Sequence, residues 1–124
     1  MKTLHWNCGD GRWSLEAGAV LTGQGLVVYL GGGETHHVGC VVLAEPRLSL
    51  SGDGSPSCTI SLLNRLGHRD DVFAQELARR LCVCTGQPVS VTAGVHVEDA
   101  AWEDLGRLKA NFATLCRRME ADLS

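Results

Sequence analysis

The sequence predicts an α+β fold: an antiparallel β-sheet with two helices packed on one side. Three observations lead there. Residues 12–22, RWSLEAGAVLT, alternate apolar and polar positions as a half-buried strand does. Beyond residue 70 the apolar spacing becomes helical, first in DVFAQELARRLCVC and again in AWEDLGRLKANFATLCRRMEADL. Between those two stretches QPVSVTAGVHV returns to period two.

In the first strand Trp13, Leu15, Ala17, Ala19 and Leu21 share a face, and Arg12, Ser14, Glu16 and Thr22 share the other. The glycines at 23 and 25 make a turn, and LVVYL continues as the second strand of a hairpin. GGGETHHVG, residues 31–39, then reads as a glycine-rich loop, and VGCVVLA as a strand covered on both faces. PRLSLSGDGSPS is turn chemistry. CTISLLNRL is a further strand, with Cys58, Ile60 and Leu62 on one face. Asp70 is a candidate cap for the first helix, whose stripe is Phe73, Leu77, Leu81 and Cys84. Gly86 and Pro88 stop it. In the next strand Val89, Val91, Ala93, Val95 and Val97 point one way, while Ser90, Thr92 and His96 point the other. The last helix buries Trp102, Leu105, Leu108, Phe112, Leu115 and Met119, with its acids early and its arginines late, as the helix dipole favours.

No repeat, linker or low-complexity segment interrupts the chain, so residues 1–124 form a single domain. Its 11 basic and 14 acidic residues form no basic stripe interleaved with aromatics, which speaks against nucleic acid as a partner. The apolar runs are too short to span a membrane or serve as a signal peptide, so the expected setting is the cytoplasm. In that reducing compartment the six cysteines are small buried hydrophobes rather than disulfides. Glycine is in excess: 15 of 124 residues, against a usual share of about 7%.

The polar and glycine-rich residues gather in three places: GGGETHHVG, the run from SGDGSPSCT to NRLGHRDD, and TAGVHVED. Loops at strand ends are where function is disproportionately placed. Glu34, His37, His68 and His96 could supply nitrogen and oxygen ligands to a metal, but their spacing matches no metal motif, and no metal is expected. Ser57 or Cys58 beside His37 lacks a nucleophile elbow, so no catalytic residue is assigned. GDGSPSCT offers backbone N–H groups and the hydroxyls of Ser55, Ser57 and Thr59 to an anion, with Arg65 and Arg69 to add charge. A plain polar turn is the competing reading. The three glycines do not form a dinucleotide fingerprint, because no helix follows them.

GGGETHHVG running into CVVLAEPR, then DGSPSCTISLLNRLGHRDD, then PVSVTAGVHVEDA, resembles the LpdD-like family of prenylated-flavin chaperones over roughly residues 12–105. The resemblance implies a homodimer similar to the small proteasome-assembly chaperones, with sheets face to face and helices outside. It implies a non-catalytic protein that binds reduced prenylated FMN and helps deliver it to an apo UbiD-type decarboxylase of phenolic acids such as gallate. Under that reading Glu34, His37, Ser55, Ser57, Asn64, His68 and His96 are the expected cofactor contacts: histidine and amide groups to the ring, hydroxyls to the phosphate. Two other classes compete. One is a small metal-assisted hydrolase or isomerase built on Glu34, His37 and His96. The other is a structural accessory subunit of a decarboxylase, in which the loops are only turns.

Overall fold

The computed structural model describes residues 1–67 and 71–124. Its strands are β1 (Lys2–Cys8), β2 (Leu15–Thr22), β3 (Gly25–Gly33), β4 (Thr35–Leu48), β5 (Pro56–Asn64) and β6 (Val89–His96). The helices are α1 (Asp71–Thr85) and α2 (Trp102–Leu123), and a 3-10 turn covers Gly11–Trp13. The strands form a six-stranded sheet in the order β1-β2-β3-β6-β4-β5. The α+β architecture is as the sequence predicts. The sheet itself is mixed rather than wholly antiparallel, because β3 and β6 run parallel.

The order explains the parallel pair. β6 enters between β3 and β4, so the chain leaving β3 must step over the end of β6 before β4 begins. It does so in one residue: the Glu34 N–H donates to the His96 carbonyl at 2.7 Å. Gly33 makes the step possible. Its φ is 73°, and a Cβ there would overlap the His96 carbonyl. The glycine run is therefore the end of a strand and a crossing, not a loop.

Two other expectations are revised, and one strand is new: Lys2–Cys8 form β1, which pairs with β2 from Lys2↔Leu21 to Cys8↔Leu15. The strand read from residue 12 begins at Leu15, since Arg12 and Trp13 belong to the 3-10 turn. Pro46, Arg47 and Leu48 lie in β4, and the turn shrinks to the residues between Leu48 and Pro56.

One face of the sheet is covered by both helices. Leu15, Leu30, Val42, Val89 and Val91 meet Leu77, Leu81, Leu115 and Met119, all nearly inaccessible. Truncating a leucine of this kind to alanine costs about 2–5 kcal/mol. Within α2 the stripe departs from expectation at its start: Trp102 is 86% exposed, and Leu105 is also exposed. Asp104 takes the inward place in that first turn and is 8% exposed. Its carboxylate accepts the Trp13 indole N–H at 2.7 Å and the Ala101 backbone N–H at 2.8 Å, which caps the helix and fastens it to the 3-10 turn.

Candidate functional site

The other face of the sheet carries no helix among the described residues. Along it lie Val20, Val27, Tyr29, Val41, Leu43, Leu63, Ser90 and Thr92. Val27, Val41, Leu43 and Leu63 are exposed. Over β1, β2 and β3 this face holds a trough of about 500 Å³ bordered by His5, Gly18, Val20, Val27, Tyr29 and Thr92. That volume suits a small-molecule site, which typically spans roughly 300–1,000 Å³.

At one end of the open face the chain builds a rim. The β4–β6 register slips between His36 and Cys40. The bulge lays the His37 backbone across Gly94, where a Cβ would coincide with the His37 carbonyl oxygen. Extended backbone would send His36 and His37 to opposite faces; the bulge instead brings both into the same neighbourhood. The His36 Nδ1 lies 3.0 Å from the Tyr29 hydroxyl. The His37 ring meets the His96 ring edge-on, with centroids 6.2 Å apart. His96 Nε2 is 2.9 Å from a Glu98 carboxylate oxygen. Glu34 accepts the Glu98 backbone N–H at 2.9 Å.

Arg12 braces this end from beneath. Its guanidinium donates to the Glu98 carbonyl at 2.7 Å and lies 3.5 Å from Glu34 and 3.8 Å from Asp104. Its Nε is buried without a hydrogen-bond partner among the described residues. The Asp104 carboxyl is held below its ordinary pKa, first by the Ala101 N–H, then by the Trp13 indole, with Arg12 and Arg107 adding positive charge.

Of the residues singled out in the sequence, Glu34, His37 and His96 therefore come together. Asn64 does not join them: alternation along β5 puts it with Cys58, Ile60 and Leu62 on the helix side. Ser55 and Ser57 lie at the other end of the sheet. Cys40 pairs with Asn64 and Arg47 with Ser57, a length of strand of roughly 23 Å. The Asp53 carboxylate accepts both the backbone N–H and the hydroxyl of Ser55, at 2.9 Å and 2.6 Å. That turn thus fills its own cradle with an anion, and the Ser55 hydroxyl and N–H in turn hold the Asp53 carboxyl below its usual pKa. Arg65 is committed elsewhere, donating to the Val38 carbonyl at 2.9 Å. His68, Arg69 and Asp70 lie outside the described residues. Sequence reading missed Tyr29 and Arg12 as rim residues. The pairing of Gly31 with Gly94 across β3 and β6, with His96 in β6 and with His36 and His37 in the strand that follows β3, was the available signal.

Among the described residues no group of three or more His, Cys, Asp and Glu is placed to hold a metal ion. No helix among them is long and apolar enough to cross a membrane.

The sheet thus carries both helices on one face and, among the described residues, leaves a histidine-edged second face open. The fold matches a chain from a chaperone complex for yeast 20S proteasome assembly with a TM-score of 0.59, covering 99% of this chain and 98% of that one at 15% identity. At that identity the likeness concerns the fold alone. The chain belongs to the prenylated flavin chaperone LpdD-like family, whose domain matches residues 9–124. No curated protein matches it.

Proposed function

We propose that this protein is a non-catalytic carrier that takes reduced prenylated FMN as cargo on its open sheet face and hands it to an apo UbiD-type aromatic acid decarboxylase. The observation that carries the reading is the rim, where Glu34, His36, His37 and His96 gather beside an apolar face in a member of a flavin chaperone family. Imidazole and phenol groups at the end of an apolar trough suit a flat ring with polar edges: the trough supplies contact area and the rim fixes orientation. His96 and Glu34 are each tied to Glu98, so they are held as positioning groups rather than free bases. A carrier must also release its cargo, which favours micromolar affinity, about −8 kcal/mol.

The carrier works as a homodimer in the cytoplasm, with the two open faces stacked. Six strands about 4.8 Å apart and about eight residues long present a face of about 750 Å², close to the roughly 800 Å² per partner of a stable interface. Ser55 and Ser57 of one copy meet cargo at the rim only from the second copy.

The test is anaerobic mixing with reduced prenylated FMN, desalting, and measurement of retained absorbance. His37→Ala and His96→Ala each remove one contact to the ring, worth about 1 kcal/mol or about fivefold in affinity. Both side chains are accessible enough that the melting temperature should hardly change. Undiminished retention in both variants would remove the rim from the site.

A further inference from the structure

β5 is an edge strand, and it lacks the devices that usually guard one. Its nine residues, PSCTISLLN, include no charged side chain, and its proline stands first. Its pairing with β4 shows which backbone groups are free. The Arg65 N–H donates to the Gly39 carbonyl at 2.9 Å, and the Ser49 N–H to the Ser55 carbonyl at 2.8 Å. With the antiparallel register from Cys40↔Asn64 to Leu48↔Pro56, odd-numbered residues of β5 bond toward β4. Alternation turns the N–H and C=O groups of Cys58, Ile60 and Leu62 outward, toward no strand among the described residues.

A second, independent feature adjoins this edge. The Ile60 side chain lines a cavity of about 580 Å³ together with Val72 and Phe73 of α1 and Phe112 of α2. The two phenylalanine rings are 4.7 Å apart, and Val72 is 69% exposed. Charged groups stand around it, and they do not cancel. Arg79 pairs with Glu76 at 2.8 Å, whereas Lys109 makes no ion pair among the described residues. A strand laid against β5 would place the residue opposite Ile60 on the helix side, beside this cavity.

We propose that β5 is a docking edge for an extended segment of a partner protein. The segment adds to the sheet as a seventh strand through the free groups of Cys58, Ile60 and Leu62. It inserts a large apolar side chain beside Ile60 and sets an acidic side chain against Lys109. Main-chain bonds supply affinity and the cavity supplies choice of side chain, as in other strand-addition complexes. This edge is distinct from the open face that carries the cargo, so a partner can bind it while the cargo face is occupied.

The probe is a blocked synthetic heptapeptide alternating threonine with leucine and phenylalanine and ending in one glutamate. Amide hydrogen exchange reads the edge. With saturating peptide, the Ile60 and Leu62 amides should exchange at least about tenfold more slowly. Lys109→Glu, a change outside the core, should weaken the peptide by up to about fivefold, the range of one exposed ion pair. A peptide with lysine in place of its glutamate should recover that loss. Unchanged exchange at millimolar peptide overturns the proposal, as does indifference of affinity to Lys109→Glu. Slowed exchange of the same amides in concentrated protein without peptide also overturns it, by assigning the edge to a second copy of this chain.

Discussion

Gly94→Ala should take the rim apart while leaving the rest of the sheet in place. The added Cβ falls where the His37 carbonyl oxygen sits, and a backbone atom cannot swing aside as the end of a side chain can. Either the bulge lifts off β6 or β6 shifts against β4. Overpacking of this kind costs about 1–3 kcal/mol. For a chain of this size each kcal/mol lowers the melting temperature by about 3–5 °C, so the expected loss is about 3–15 °C. The edge-on contact of His37 with His96 is lost at the same time, so flavin retention should fall further than in either single histidine variant. Gly106→Ala is the control. That position lies in α2 with nothing within 4 Å of an added Cβ, so alanine should stabilise the protein by about 0.5–1 kcal/mol. The measurements are differential scanning calorimetry and anaerobic flavin retention on both variants. A Gly94→Ala protein that melts with the wild type and holds cargo as well would refute the geometry of the bulge.

Two further outcomes follow from the chemistry of single groups. The Asp104 carboxyl is held below its ordinary pKa when folded, so its contribution is present above the unfolded value of about 3.9 and fades as pH falls through the folded one. Asp104→Asn should therefore flatten the loss of urea stability between pH 5 and pH 3; an unaltered slope would show that the carboxylate is not paired as described. Burial pushes the Cys116 thiol up to about 12, and burial with Cys58 nearby pushes Cys82 up to about 11. Iodoacetamide at pH 8 should leave both unmodified in the native protein and label them only in denaturant, as peptide mass mapping would report.

Much of the scaffold was legible because its signals are local. The β2–β3 hairpin follows from alternation around paired glycines, and both helices follow from their apolar stripes. What escaped depends on distant partners. Pro46 looked like a strand breaker, yet its pairing with Cys58 turns its missing N–H toward the β6 side at a level that β6 does not reach, since the first residue of β6, Val89, stands opposite Ala44. Trp102 fitted the helical stripe by type but not by angle: Asp104 is inward because Trp13 and Arg12 reach it from far along the chain. In the same way Glu34 and His37 looked like members of one loop and His96 of another, unrelated one. One crossing and one bulge make them neighbours, and neither has a signature that composition or spacing can carry.

The crossing at Gly33 and Glu34 also sets a schedule. β3 and β4 leave the ribosome early with a slot between them, and the strand that fills it emerges only after α1. Until then His37 lacks both the glycine beneath it and the imidazole beside it, and the middle of the sheet is two unmatched edges. The rim therefore cannot assemble until β6 has been made, and loss of β6 would open the middle of the sheet and take the rim apart together.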